Sequence, residues 1–128
     1  MKWDPHIDSP GVDALEFAAM TPLYEDALRR DPDDLGSISW LAHAYTRIGR
    51  VAEGLELDRK LTSLLPDDST VRYNLACSFA MLGQIEEALA TLEQAIDLGY
   101  RDADLMRKDE DLTRLWDEPR FKELLDRI

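Results

Sequence analysis

Few side chains in this sequence could serve as metal ligands or nucleophiles, and they are widely spaced. The two histidines are His6 and His43, and the single cysteine is Cys77. Structural metal sites place their ligands a few residues or one helical turn apart, and no pair here has that spacing. A cysteine nucleophile requires an adjacent base, and no base lies one helical turn from Cys77. We therefore expect no catalytic residue, no metal site and no cofactor.

Paired carboxylates are the other groups that could carry out acid–base or calcium chemistry. They occur at 33–34, 67–68, 86–87 and 109–111. Most of them stand at predicted turns or helix starts, where capping and the positive end of the helix dipole account for them. The spaced oxygen ligands and the glycine of a calcium loop are missing, as are a glycine-rich phosphate loop and a Gly-x-Ser-x-Gly motif. An enzyme therefore has the least support among the function classes.

The composition restricts the class of partner. The chain has 128 residues, of which 45% are hydrophobic and 33% are charged, and this is typical of one folded domain. Its formal net charge of −12 repels phosphate backbones and anionic lipids, so we expect no nucleic acid and no membrane among its partners. The single cysteine fits a reducing compartment, and no apolar signal core follows Lys2, so we expect a cytoplasmic protein.

The elements that would position these side chains follow a repeat of 34 residues, because residues 35–68 align without a gap with residues 69–102. Identities occur at Leu41 and Leu75, Ala42 and Ala76, Gly49 and Gly83, Glu53 and Glu87, Leu55 and Leu89, and Leu64 and Leu98. The period continues towards the N terminus, since Pro32-Asp33-Asp34 precedes Pro66-Asp67-Asp68 by the same interval. Self-similarity at this period indicates stacked helical hairpins.

Each repeat predicts two helices separated by a glycine. In the second repeat, apolar residues within 75–82 lie on one helical face, and a second apolar stripe occupies 85–96. Gly83 separates the two stripes, because glycine tolerates the left-handed conformation in which many helices end. Gly54 and Ala88 predict close contact between paired helices, since a large side chain there would push them apart.

These features resemble the tetratricopeptide repeat family, in particular small bacterial proteins of that family. The resemblance rests on Leu41-Ala42…Tyr45…Gly49…Val51…Gly54…Pro66 and Leu75-Ala76…Phe79…Gly83…Ile85…Ala88…Ala95. The sequence departs from the family pattern at Ile38 and Arg72, where a tryptophan or similar bulk is common, and at Tyr100, where a proline is common. The resemblance implies an all-α, right-handed superhelical stack of antiparallel helix pairs. Its concave side would hold a peptide or a segment of a partner protein.

The two ends depart from the repeat, and we expect them to cap it. One domain over 1–128 would comprise an arm over 1–9, a partial repeat over 10–34, repeats over 35–68 and 69–102, and a C-terminal cap over 103–128. Pro22 either kinks one long helix or starts a second helix with Thr21 as its N-cap, and we favour the second alternative. Asp117-Glu118-Pro119 predicts the start of a final capping helix.

The helical phase predicts which side chains line the concave groove. The groove residues are Ser39, Trp40, His43, Arg47, Tyr73, Asn74, Cys77 and Met81. Trp40, Tyr73 and Met81 would anchor a partner, whereas His43, Arg47 and Asn74 would orient it. Two alternatives remain open: the N-terminal helix buries Trp40, or the C-terminal segment covers Tyr73. Relatives that clamp a C-terminal carboxylate use a lysine and a second asparagine where this chain has Ser39 and His43, so we do not expect such a clamp.

The sequence therefore predicts a non-enzymatic protein-interaction module that binds a peptide or protein segment in its groove. Two alternatives have the same architecture. A small acidic secretion-type chaperone would keep one dedicated client soluble. A self-assembling scaffold would form a homodimer through Trp3 or through the face of the repeats.

Overall fold

The computed structural model describes residues 14–128, so the predicted arm over 1–9 and the start of the predicted partial repeat lie outside the described residues. The described residues form α1 (Ala14–Arg30), α2 (Leu35–Arg47), α3 (Val51–Leu64), α4 (Ser69–Met81), α5 (Ile85–Asp97), α6 (Ala103–Lys108), a 3-10 helix (Glu110–Leu115) and α7 (Pro119–Asp126). No strand occurs in this part of the chain, and consecutive helices pack in adjacent pairs. The predicted all-α, tetratricopeptide-like solenoid is confirmed. None of these helices has the length and hydropathy that crossing a membrane requires.

The starts of the paired helices follow from local sequence chemistry. α2 and α4 begin at Leu35 and Ser69, the first residues of the two predicted repeats. Asp68 is the N-cap of α4, and its carboxylate accepts hydrogen bonds from the backbone N–H groups of Thr70 and Val71 at 3.0 and 3.1 Å. The carboxylate of Asp68 thus provides an acceptor for N–H groups that have no partner within the helix.

The first helix of each pair ends at a glycine with a positive φ. The φ angles of Gly49 and Gly83 are +87° and +77°. Beyond Gly83, the backbone N–H of Gln84 donates to the carbonyl oxygen of Phe79 at 2.9 Å, which closes the end of α4. Other residue types are strained at such angles, and the predicted role of both glycines is therefore confirmed.

Gly54 allows α2 and α3 to approach closely. A Cβ atom at this position would lie 2.9 Å from Oγ1 of Thr46 and 3.0 Å from the backbone oxygen of Ala42. Both distances are shorter than ordinary van der Waals contacts between a carbon atom and an oxygen atom. The close contact predicted from the small residue at position 54 is therefore confirmed.

The C-terminal cap packs against α4 and α5 and completes the main hydrophobic core. It contributes the buried apolar side chains Met106, Leu112, Leu115, Phe121 and Leu124. Glu118 is the N-cap of α7, and Pro119 occupies the first turn of this helix, as the sequence predicts. The cap therefore covers apolar surface that the last helix pair would otherwise expose.

The predicted break at Pro22 is wrong, because α1 continues through this residue. The buried hydroxyl of Thr21 donates to the backbone oxygen of Phe17 at 2.7 Å instead of capping a new helix. The ring of Phe17 packs against Trp40 of α2, with 5.8 Å between ring centroids. This packing against α2 holds α1 on both sides of the proline, although Pro22 lacks an N–H group.

Candidate functional site

An open cavity of about 410 Å³ lies between α2 and α4. We call it the α2–α4 cavity. Side chains of α2, α3 and α4 line it, and Asp111 of the 3-10 helix borders it. Its apolar walls include Ala42, Leu61, Leu65 and Val71. A cavity of this size, with apolar walls and a few polar groups, is typical of a ligand-binding site.

Several of the predicted groove residues meet in this cavity. They are Ser39, His43 and Arg47 of α2, together with Asn74 and Cys77 of α4. The three residues of α2 are four positions apart, so they follow one another along one face of the helix. His43 and Cys77 occupy the same position in consecutive repeats, and stacking of the repeats places both on the cavity wall.

Tyr73 does not line the cavity, and the expectation that it is an exposed anchor is wrong. Its side chain is fully buried, and its hydroxyl donates to Oδ2 of Asp109 at 2.7 Å. Its ring stacks on Tyr100, with 4.3 Å between centroids. The alternative in which the C-terminal segment covers Tyr73 is the correct one. The physical reason is that the chain folds back over α4 at the start of the 3-10 helix.

Trp40 and Met81 also lie outside the walls of the cavity. The indole of Trp40 stacks on Tyr24 of α1, with 4.2 Å between ring centroids, and is half-buried there. This is the alternative in which the N-terminal helix covers Trp40. Met81 is the last residue of α4, and its backbone oxygen accepts a hydrogen bond from Arg114 of the cap at 3.0 Å. Trp40 therefore contacts α1, and Met81 contacts the cap.

Cys77 is buried, and its thiol lies 3.8 Å from Oδ2 of Asp109. Burial raises the pKa of this thiol well above its ordinary value, and the negative charges of Asp109 and Asp111 raise the pKa further. A thiol in these surroundings stays protonated, because both burial and neighbouring carboxylates disfavour the thiolate.

Cys77, Asp109 and Asp111 form a cluster that the sequence analysis did not identify. One ligand atom of each lies within 4.8 Å of the others, a separation that would suit a metal ion. However, Nη2 of Arg47 contacts both carboxylate oxygens of Asp111, at 2.8 and 3.0 Å. Asp109 accepts from Tyr73 and from the backbone N–H of Asp111. The guanidinium already supplies a positive charge, so we interpret the cluster as the attachment of the cap to α2 and α4.

Asp58 was not among the groove residues predicted from the sequence. It lies in α3, lines the cavity and is 5% exposed, and its Oδ2 is 2.6 Å from the hydroxyl of Ser78 in α4. Burial raises the pKa of Asp58 to about 7, whereas the hydrogen bond with Ser78 acts in the opposite direction. The repeat alignment contains the signal, because Asp58 stands where the second repeat has the fully buried Leu92.

The chain is similar to segments of two curated eukaryotic proteins. It is 33% identical over 98 residues to Superkiller protein 3 of Schizosaccharomyces pombe, a match that covers 74% of this chain and 7% of that protein. It is 32% identical over 84 residues to a chloroplastic protein of Arabidopsis thaliana, a match that covers 63% of this chain and 25% of that protein. The chain therefore spans a small part of the length of either relative. No protein-family model matches the chain, and no solved structure does. With the paired helices of the fold, these similarities point to a helical-repeat protein.

Proposed function

We propose that this chain is a non-enzymatic protein-interaction module that holds a segment of a partner protein in the α2–α4 cavity. The observation that carries the proposal is the open cavity of about 410 Å³ between the first helices of two consecutive repeats. Five of the predicted groove residues lie on its walls, namely Ser39, His43, Arg47, Asn74 and Cys77. Neither a cofactor nor nucleic acid is part of this proposal.

The chemistry of the walls suits a peptide segment. Apolar side chains such as Leu61 and Val71 would cover an apolar side chain of the partner, whereas Ser39 and Asn74 offer hydrogen-bonding groups to its backbone. Asp111 and Arg47 border the cavity where the cap attaches, so the partner segment would extend from there towards the first turns of α2 and α4. Leu35, in the first turn of α2, lines the cavity and is 41% exposed.

A substitution that fills the cavity tests the proposal. Ser39→Trp places a large side chain on its wall, and Ser63→Trp makes the same change on the exposed side of α3 as a control. A partner would be identified by affinity capture from a lysate, and its binding segment synthesised for titration by calorimetry. We expect Ser39→Trp to weaken binding by about tenfold or more and Ser63→Trp to leave it unchanged.

The fold of both variants would be checked by circular dichroism, and Ser39→Leu replaces Ser39→Trp if the indole prevents folding. Amide shifts of the isotope-labelled chain would locate the bound segment. Equal binding by the wild-type chain and the folded Ser39 variant, or shifts confined to α1, would refute the assignment of the cavity.

A homodimeric scaffold is a second candidate, because α1 exposes several large apolar side chains. Leu15, Met20 and Leu23 are 77%, 43% and 65% exposed. Pairing of two copies through this surface would remove these side chains from water. Sedimentation equilibrium at high protein concentration tests this candidate, and a strict monomer would exclude it.

A further inference from the structure

We infer that the α2–α4 cavity accepts a lysine or arginine side chain of the partner segment, with its cationic tip at the carboxylate of Asp58. This inference rests on the proposed function and specifies the chemistry of the segment. The shared feature of the two side chains is a long aliphatic stem that ends in a positive charge.

The surroundings of Asp58 favour a cationic ligand. It lines the cavity, it is 5% exposed, and its hydrogen-bond partner is the hydroxyl of Ser78 at 2.6 Å. No lysine or arginine within residues 14–128 forms an ion pair with it. A buried carboxylate with one neutral donor is costly to ionise, and a cation from a ligand would remove that cost.

The charges on the walls of the cavity also favour a cation. Asp58, Asp68 and Asp111 line it, and Arg47 is the only lysine or arginine among the described residues that does so. Arg47 is engaged by both oxygens of Asp111, and Asp68 caps the backbone of α4. Among these three carboxylates of the described residues, Asp58 is therefore the one that neither an arginine nor a backbone N–H group contacts, within a chain whose formal net charge is −12.

The repeat fold does not require a polar pair at the positions of Asp58 and Ser78. Asp58 corresponds to Leu92 in the second repeat, and Ser78 corresponds to Ala44 in the first. Both counterparts are fully buried apolar residues. Apolar side chains therefore satisfy the packing at the equivalent positions, and the polar pair borders the cavity.

The apolar walls next to Asp58 suit a long aliphatic side chain. Leu61 lies one helical turn beyond Asp58 in α3, and Val71 faces the cavity from α4. An aliphatic stem can pack along such apolar walls while its charged tip reaches a polar group. A short cation such as ammonium would not gain this contact, so the surroundings favour a long side chain.

The test compares two small probes that share a stem but differ in charge. N-acetyl-lysine methylamide and N-acetyl-norleucine methylamide would be titrated into the isotope-labelled full chain, with the arginine derivative as a third probe. We expect the cationic probes to bind about tenfold more tightly than the norleucine probe, with amide shifts at residues that line the cavity.

Substitution of Asp58 then tests whether the carboxylate is responsible. Asp58→Asn keeps the size of the side chain and removes its charge, and Asp58→Leu introduces the residue of the second repeat. Asp67→Asn is the matched control, because Asp67 is exposed and lies outside the cavity. We expect the preference for the cationic probes to disappear in both Asp58 variants and to persist in Asp67→Asn.

Several results would overturn the inference. They are equal binding of the lysine and norleucine probes to the wild-type chain, lysine-induced shifts away from the cavity, and a preference that survives in a folded Asp58 variant. If neither Asp58 variant folds, the binding of the lysine and norleucine probes to the wild-type chain still tests the inference. Equal binding of both probes inside the cavity would leave the proposed function standing. Unchanged partner binding by the folded Ser39 variant would instead refute the proposed function itself.

Discussion

The hydroxyl of Tyr73 donates a hydrogen bond of 2.7 Å to Oδ2 of Asp109, a residue 36 positions further along the chain. Tyr73 belongs to α4, and Asp109 is the N-cap of the 3-10 helix. Both side chains are buried, so the bond joins the cap to the last repeat where little of either side chain is exposed to water. It also explains why an aromatic residue predicted to face a partner is covered by the chain itself.

Tyr73→Phe removes this bond and leaves the buried carboxylate of Asp109 without one of its donors. We expect the free energy of unfolding to fall by about 1–3 kcal/mol, because an incompletely paired buried carboxylate is costly. Urea unfolding followed by circular dichroism measures the change. Tyr24→Phe is the control, since the Tyr24 hydroxyl makes no hydrogen bond with residues 14–128, and it should change stability by less than about 0.5 kcal/mol. Equal effects of the two substitutions on the free energy of unfolding would contradict a stabilising role of the hydrogen bond between Tyr73 and Asp109.

The pH dependence of stability should carry the signature of Asp58. Its pKa is raised from 3.8 to about 7 in the folded chain, mainly by burial. Between these values the folded chain holds a proton that the unfolded chain has released, so this group makes stability fall as the pH rises from 4 to 7. The slope from one such group is about 1.4 kcal/mol per pH unit.

The difference between the wild-type chain and Asp58→Asn isolates this contribution. Other charged or titratable groups around the cavity are His43 and Arg47 from α2, Asp68 at the N-cap of α4, Cys77 from α4 and Asp111 from the cap, and they are common to both chains. We expect the stability of the wild-type chain relative to Asp58→Asn to decrease over this pH range and then to level off. Parallel curves for the two chains would show that Asp58 does not titrate in this window.

Gly54→Ala should destabilise the fold, although alanine favours helices. The new Cβ would lie 2.9 Å from Oγ1 of Thr46 and 3.0 Å from the backbone oxygen of Ala42. Overpacking costs about 1–3 kcal/mol, and the gain in helix propensity is about 1 kcal/mol, so we expect a net loss of about 1 kcal/mol.

Gly36→Ala provides the matched control for Gly54→Ala within the preceding helix. A Cβ at Gly36 would meet only Oδ1 of Asp34, at 4.0 Å. We expect this substitution to stabilise the chain by up to about 1 kcal/mol. Thermal unfolding of both variants makes the comparison, and a stabilising Gly54→Ala would mean that α2 and α3 are not in tight contact at this point.

Cys77 should be unreactive in the folded chain, because it is buried and its pKa is raised. We expect Ellman's reagent to modify it roughly a hundredfold more slowly than in the chain unfolded by urea, since labelling requires the thiolate, which burial and the neighbouring carboxylates disfavour. Asp109→Asn weakens the attachment of the cap and should accelerate labelling. Rapid labelling of the folded wild-type chain would restore the enzymatic alternative, in which Cys77 is a nucleophile.

Much of the fold could be predicted from the repeat and from the local chemistry of the sequence. The repeat places the starts of α2 and α4 at Leu35 and Ser69, and glycines at 49 and 83 end these helices because they accept a positive φ. The cavity was predicted in part, since Ser39, His43 and Asn74 follow from helical phase alone. Asp58 was missed, although its alignment with Leu92 marks a polar residue at a buried position.

Tertiary packing decided which of the predicted groove side chains are covered. The repeat period describes contacts between neighbouring helices, but the cap does not share that period, so the sequence did not indicate that Asp109 would reach Tyr73. The same holds for α1, which continues through Pro22 and covers Trp40 because it packs against α2. The positions of the helices thus follow from short-range periodicity in the sequence. The exposure of individual side chains depends on where the non-repeating segments, α1 and the cap, pack against the repeats.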